Sequence, residues 1–228
     1  MSTMSHDYLL KAIILGDSKV GKTCLSESMV LQVHRPEYIP TIGVDFKSFV
    51  TTSDENKNVK VHLWDTAGAE SFKKIIINYC RGVSCALIVY DVTNRESFQN
   101  VERWLSYFQA NTACTGHNHP IFIIANKCDL SHKRVITKEE GRRFASSQNL
   151  YYLETSAVAS LNTSELRTLI VRRVFSKLIS QSIFCKGYNV MHDCHLVDRV
   201  DRVNKDTYIR MPYTKPRYYN YPRCCTIL

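Results

Sequence analysis

The sequence predicts an α/β domain with a mostly parallel, six-stranded sheet, followed by a flexible C-terminal tail. Three observations carry that expectation. Short apolar runs rich in β-branched residues alternate with helical patterns as far as Ser180, the signature of a sheet covered by helices on both faces. A glycine-rich loop joins the first of those runs to the first helical pattern. Near residue 183 the alternation stops, and no period of 2 or 3.6 survives beyond it. The chain therefore divides into a domain over residues 7–182 and a tail over 183–228.

Six runs read as strands: Leu9–Leu15, Val44–Thr51, Val59–Asp65, Ala86–Asp91, Ile121–Ala125 and Tyr151–Glu154. Helices fall between them. Thr93-Asn-Arg-Glu96 and Thr137-Lys-Glu-Glu140 both fit the capping box, in which a Thr hydroxyl and a Glu carboxylate satisfy free N–H groups of a first turn. The last helix, about Thr163 to Ser180, sets Leu166, Ile170, Val174 and Leu178 on one face.

Composition excludes several classes. With 44% apolar and 22% charged residues in 228, the chain is neither disordered throughout nor a fibre. No apolar run approaches the ~18 residues of a membrane span. Nine cysteines without a secretory signal point to a reduced, cytosolic protein rather than a disulfide framework. Of the net charge of +9, part lies in the tail, where Arg210, Lys215, Arg217 and Arg223 meet no acid after Asp206. That run suits an anionic surface, either lipid headgroup or nucleic acid, and equally a solvated tail.

The chemistry starts at Gly16-Asp-Ser-Lys-Val-Gly21-Lys22-Thr23, the GxxxxGK[ST] spacing placed after a strand and before a helix. Its glycines let the backbone wrap phosphate, and N–H groups at a helix start favour anions. Lys22 would reach the outer phosphates and the Thr23 hydroxyl would ligate Mg²⁺. Asp65, ending the third strand before Thr66-Ala67-Gly68, can hold the metal's water shell, while the Gly68 N–H can meet a γ-phosphate. Asn126-Lys127-Cys128-Asp129 lies past the fifth strand, where open α/β sheets bind ligands. The Asp129 carboxylate can accept both N1–H and the exocyclic amine of guanine, a donor pair that adenine lacks. Thr155-Ser156-Ala157 supplies a loop whose backbone can meet the guanine O6.

With these motifs the chain resembles a Rab-type small GTPase of the Ras superfamily, and its fold the three-layer P-loop NTPase, over roughly Asp7 to Ser180. Tyr38 to Phe46 resembles the first switch, with Thr41 as sensor of γ-phosphate and Mg²⁺, and Trp64 to Phe72 the second. Ile42-Gly-Val-Asp-Phe46, Tyr79-Cys-Arg-Gly82 and Leu87 to Thr93 point to the Rab branch. The resemblance implies contacts to GTP or GDP from Ser18, Lys19, Val20, Gly21, Lys22, Thr23, Cys24, Thr41, Gly68, Asn126, Lys127, Asp129, Ser156 and Ala157. It implies metal ligation by Thr23, Thr41 and Asp65, and effector contacts through Phe46, Trp64 and Tyr79. The terminal Cys224-Cys225-Thr-Ile-Leu228 matches a geranylgeranylated end in which both cysteines carry lipid. A monomer follows, with no nucleic-acid partner. It would work on the cytoplasmic face of a vesicle or organelle membrane with an exchange factor, a Rab GAP, effectors, a Rab escort protein and a GDP dissociation inhibitor.

The sequence departs from that pattern in four places. Ala69 stands where relatives carry the Gln that orients the attacking water, so intrinsic hydrolysis is expected to be slow. Val158 replaces a Lys stem on the guanine face, His34 an aromatic over the base, and Lys19 a small residue in the phosphate loop. A second reading follows from them: a GTP-locked, Rab-like scaffold that keeps fold and anchor without cycling. Cys185, His192, Cys194 and His195 fit no common zinc spacing.

Overall fold

A computed structural model describes residues 6–31, 41–68, 73–112 and 119–185, with the side chains of 73–75 and 178–185 left aside. Six strands form one sheet in the order β2-β3-β1-β4-β5-β6: β1 Tyr8–Leu15, β2 Val44–Thr52, β3 Asn58–Thr66, β4 Cys85–Asp91, β5 Ile121–Asn126 and β6 Tyr151–Glu154. Only β2 runs antiparallel, paired with β3 from Val44↔Thr66 to Thr52↔Asn58; the other neighbours are parallel. Each strand matches its expected run to within a residue at either end.

Alternation along the central strands builds two cores. Leu10, Ala12 and Ile14 of β1, with Leu87 and Val89 of β4 and Phe122 and Ile124 of β5, face one side. There they meet α1 (Lys22–Leu31) through Leu25 and Met29, and α6 (Thr163–Cys185) through Leu166, Ile170 and Val174. Ile13, Leu15, Ala86, Ile88, Tyr90, Ile121 and Ile123 face the other. That side is covered by Ile76 of α2 (Lys73–Tyr79), by Val101, Trp104, Leu105 and Phe108 of α4 (Val101–Thr112), and by Ala145 of α5 (Lys138–Ser147). The central strands are thus apolar on both faces because both faces are covered.

Two local expectations shift. The short α3 (Arg95–Gln99) is capped by Asn94, whose side chain accepts from the Ser97 N–H. Thr93 is not its cap, because its hydroxyl donates to Asp91 Oδ1 at 2.7 Å. At α5 Thr137 caps as expected, accepting from the Glu140 N–H at 3.1 Å, while the Glu140 carboxylate pairs with Arg95. The last helix runs on to Cys185, past the expected Ser180. Among the described residues no helix is long and apolar enough to cross a membrane.

Candidate functional site

The loop from Gly16 to Gly21 leaves the end of β1 and feeds α1, so the phosphate motif stands at the carboxyl edge of the sheet, where such sheets take their ligands. Lys22 is buried, and its Nζ donates to the Gly16 and Asp17 carbonyls at 2.9 and 2.7 Å. Burial pulls its pKa down to about 8, against the opposing pull of Asp65 and Asp17. Val20 is buried, Ser18 and Lys19 are exposed, and Thr23 and Cys24 lie between. Lys19 adopts φ +65°, left-handed backbone that costs a non-glycine residue about 1–2 kcal/mol. Gly68 seats directly on this loop: a Cβ there would stand 2.3 Å from the Ser18 nitrogen, so no side chain fits.

Three oxygens of separate elements converge beside the loop. Thr23 Oγ1 donates to Asp65 Oδ2 at 2.5 Å and lies 2.7 Å from Thr41 Oγ1. Asp65 is fully buried, and burial raises its pKa although the Thr23 bond and the Lys22 charge oppose the rise. Its second oxygen, Oδ1, is buried with no hydrogen-bond partner among the described residues. A buried unpaired carboxylate oxygen is costly. Together with two hydroxyls it forms the hard-oxygen set that Mg²⁺ and its waters favour, so these residues fit the metal.

On the base side one amide ties three segments. Asn126 Nδ2 donates to the Val20 carbonyl at 2.9 Å; its Oδ1 accepts from Thr155 Oγ1 at 3.2 Å and from the Ala157 N–H at 3.3 Å. Gly21 must be glycine beside it: it has φ +91°, and a Cβ would stand 2.5 Å from that Nδ2. Lys127 Nζ reaches back to the Lys19 carbonyl at 2.8 Å and pairs with Asp91 Oδ2 at 2.7 Å. Asp129 is exposed, with Oδ1 accepting from the Ser156 hydroxyl at 2.5 Å. The Ser156 hydroxyl in turn accepts from the Ala159 N–H at 3.0 Å. Phosphate loop, base motif and Thr155-Ser156-Ala157 loop are therefore one hydrogen-bonded body.

Residues 11–176 match the Ras family. The chain is 37% identical over 174 residues to the Ras-related protein Rab-8 of Diplobatis ommata, covering 76% of this chain and 81% of that protein. The same identity and length hold against Rab-8B of Homo sapiens and of Pongo abelii, with 82% of each relative covered. The chain belongs to the Rab family of small GTPases. Membership makes it a GTP-binding protein of the GTPase class that serves vesicle traffic.

In this Rab GTPase the three aromatics expected at the effector face do come together. Phe46 and Trp64 sit opposite each other across β2 and β3, with rings 5.2 Å apart, and Trp64 lies 5.0 Å from Tyr79. His62 stands edge-on to Phe46 at 4.8 Å, and Lys11 Nζ lies 5.1 Å from the Trp64 ring centroid. Phe46 itself is exposed, as are Ile42 and Ile77 in the neighbouring segments. Val158 is exposed; Ala69, His34, Cys224 and Cys225 lie outside the described residues. Sequence reasoning missed Asp91, which braces Lys127, and the Thr155 hydroxyl as a brace for Asn126, and it gave no role to Asp17. The one hint at Asp17 was an acid set inside a loop meant for anions.

Proposed function

We propose that this chain is a membrane-anchored guanine-nucleotide switch that binds GTP and GDP with Mg²⁺, hydrolyses GTP slowly and recruits effectors to an intracellular vesicle. The observation that carries the reading is Asn126, which unites phosphate loop and base motif in one hydrogen-bonded system. Lys22 supplies the positive charge for the outer phosphates, and the N–H groups from Ser18 to Cys24 supply donors at a helix start. Asp129 reads the guanine edge, with Ser156 holding its carboxylate and the Ala157 loop beside it. Thr23, Thr41 and Asp65 would hold Mg²⁺ and its waters, and the metal would offset phosphate charge.

Hydrolysis needs a water placed in line with the γ-phosphate. Thr41 and the Gly68 N–H lie on that side, but the methyl group of Ala69 can neither accept from nor donate to the water. A GAP that resembles those of Rab relatives would bring Gln and Arg in trans. Phe46, Trp64 and Tyr79 form the effector face. Geranylgeranyl groups on Cys224 and Cys225 give the anchor over residues 183–228, handled by escort protein and dissociation inhibitor, while residues 7–182 act as a monomer.

Single-turnover hydrolysis by GTP-loaded protein, with and without a Rab GAP domain, tests the cycle. Ala69→Gln is expected to raise the intrinsic rate about tenfold to a hundredfold; equal rates in the two forms would remove Ala69 as the cause. Wild type that stays slow with several GAP domains would favour the GTP-locked scaffold.

A further inference from the structure

We propose that Asp17 is a positioning residue that pins the phosphate loop to α4 and thereby sets how tightly the loop retains a nucleotide, an inference that rests on the nucleotide-binding reading above. Asp17 follows the first glycine of the loop, where an unpaired carboxylate would repel phosphate. Both of its oxygens are instead taken from across the loop: Oδ1 accepts from Trp104 Nε1 of α4 at 2.7 Å and Oδ2 from Nδ2 of Asn100, the residue between α3 and α4, at 2.8 Å. These are charge-assisted bonds, the short and strong class, and Trp104 is almost wholly buried. A loop residue is thereby anchored to positions more than eighty places away in the sequence.

The main chain of Asp17 carries the consequence. Its carbonyl accepts from Lys22 Nζ at 2.7 Å. Its carbonyl carbon and oxygen lie 2.4 and 2.5 Å from where a Cβ on Gly68 would stand. One peptide unit therefore orients the phosphate lysine and forms the surface against which Gly68 of the second switch rests. Held by one bond to the buried Trp104 of α4 and one to Asn100 just before that helix, the unit is fixed; released, it takes both contacts with it. Asp17 touches no reacting atom and acts through Lys22 and Gly68.

Release of mant-GDP from the full chain, chased with excess GDP, tests this, with circular dichroism to check folding. Removing an acceptor from charge-assisted bonds predicts release about tenfold faster in Asp17→Ala and about threefold faster in Asp17→Asn, which keeps shape and one acceptor. Trp104→Phe, which keeps an aromatic ring in the core, is expected to release about threefold faster, and its combination with Asp17→Ala no faster than Asp17→Ala alone, because Asp17→Ala already removes the bond that Trp104→Phe removes. A generally loosened fold would make the two effects multiply instead. Should Asp17→Ala fail to fold, Asp17→Asn and Trp104→Phe carry the test. Folded variants that release mant-GDP at the wild-type rate, or effects that multiply, overturn the pinning role. Folded wild type that takes up no mant-GDP overturns the nucleotide reading itself, a distinct result.

Discussion

On the base side of the cleft both ends of the Asn126 amide are engaged within the protein, and Lys127 is paired to Asp91 and to the Lys19 carbonyl. On the phosphate side Asp65 Oδ1 is buried with no partner among the described residues, and Lys22 is buried against two carbonyls with its pKa drawn down to about 8. One half of the site is thus internally paired, and the other carries a buried oxygen without a partner among the described residues and a desolvated charge. The lesson is a division of labour. The base half is scaffold, and removing a part of it should hurt stability and binding together. In the proposed reading the phosphate half carries desolvated groups that a bound phosphate and Mg²⁺ would relieve, so removing a part of it should separate the two.

The largest separation is expected at Lys22. Removing a buried charge from a phosphate contact costs about a hundredfold or more in affinity, so Lys22→Met should abolish useful GDP binding. The ligand-free melting temperature should hold or rise, because a desolvated charge has gone. The pH dependence has a definite sign. The folded group titrates near 8 and the unfolded one at its ordinary 10.5. Between those values the unfolded chain binds the extra proton, so this group makes ligand-free stability rise with pH across that window. Below pH 8 both states are charged and its penalty is fully present. Urea unfolding of wild type and Lys22→Met across that range isolates the slope as a difference; parallel profiles would break the comparison.

At Asn126 the two losses should travel together. Asn126→Ala strips the buried Val20 carbonyl, the Thr155 hydroxyl and the Ala157 N–H of a partner each. Each unpaired buried group costs about 1–3 kcal/mol, so stability should fall by about 3 kcal/mol or more along with affinity for guanine nucleotide. Parallel urea unfolding and mant-GDP binding would show it. A variant that loses affinity at full stability would place the base half in the same class as the phosphate half.

How far this division was legible in the sequence depends on chain distance. The phosphate loop, the strand-end Asp65 and the Asn126 motif each occupy one contiguous stretch at a strand's end, and the apolar runs place those ends on one edge of the sheet. The six strands were readable because their burial on both faces leaves uninterrupted apolar runs. The braces were not readable. Asp17 meets Trp104, Lys127 meets Asp91, and Asn126 meets Val20 across 87, 36 and 106 positions, distances over which no local period operates. The α3 cap failed for a nearer reason. Thr93 and Asn94 are adjacent cap candidates, and Asp91, two residues upstream, claims the Thr93 hydroxyl.

The smallest and sharpest test lies at Lys19, where the two halves meet. Its backbone occupies left-handed space at φ +65°, its side chain is exposed beside the phosphate loop, and its carbonyl accepts from Lys127. Lys19→Gly keeps that carbonyl and therefore the tie to the base half. It relieves about 1–2 kcal/mol of left-handed strain, and the freer unfolded chain takes back about 0.5–1 kcal/mol. The net expectation is a gain of about 0.5 kcal/mol. The ammonium lost from the rim should speed mant-GDP release by about threefold, an effect that weakens with added salt because the charge is exposed. If Lys19 belongs to the phosphate half, stability rises while retention falls, the same opposition expected at Lys22 on a smaller scale. If both fall, the Lys19 side chain supports the fold of the loop as well as the phosphates, and the opposition expected of the phosphate half does not extend to this residue.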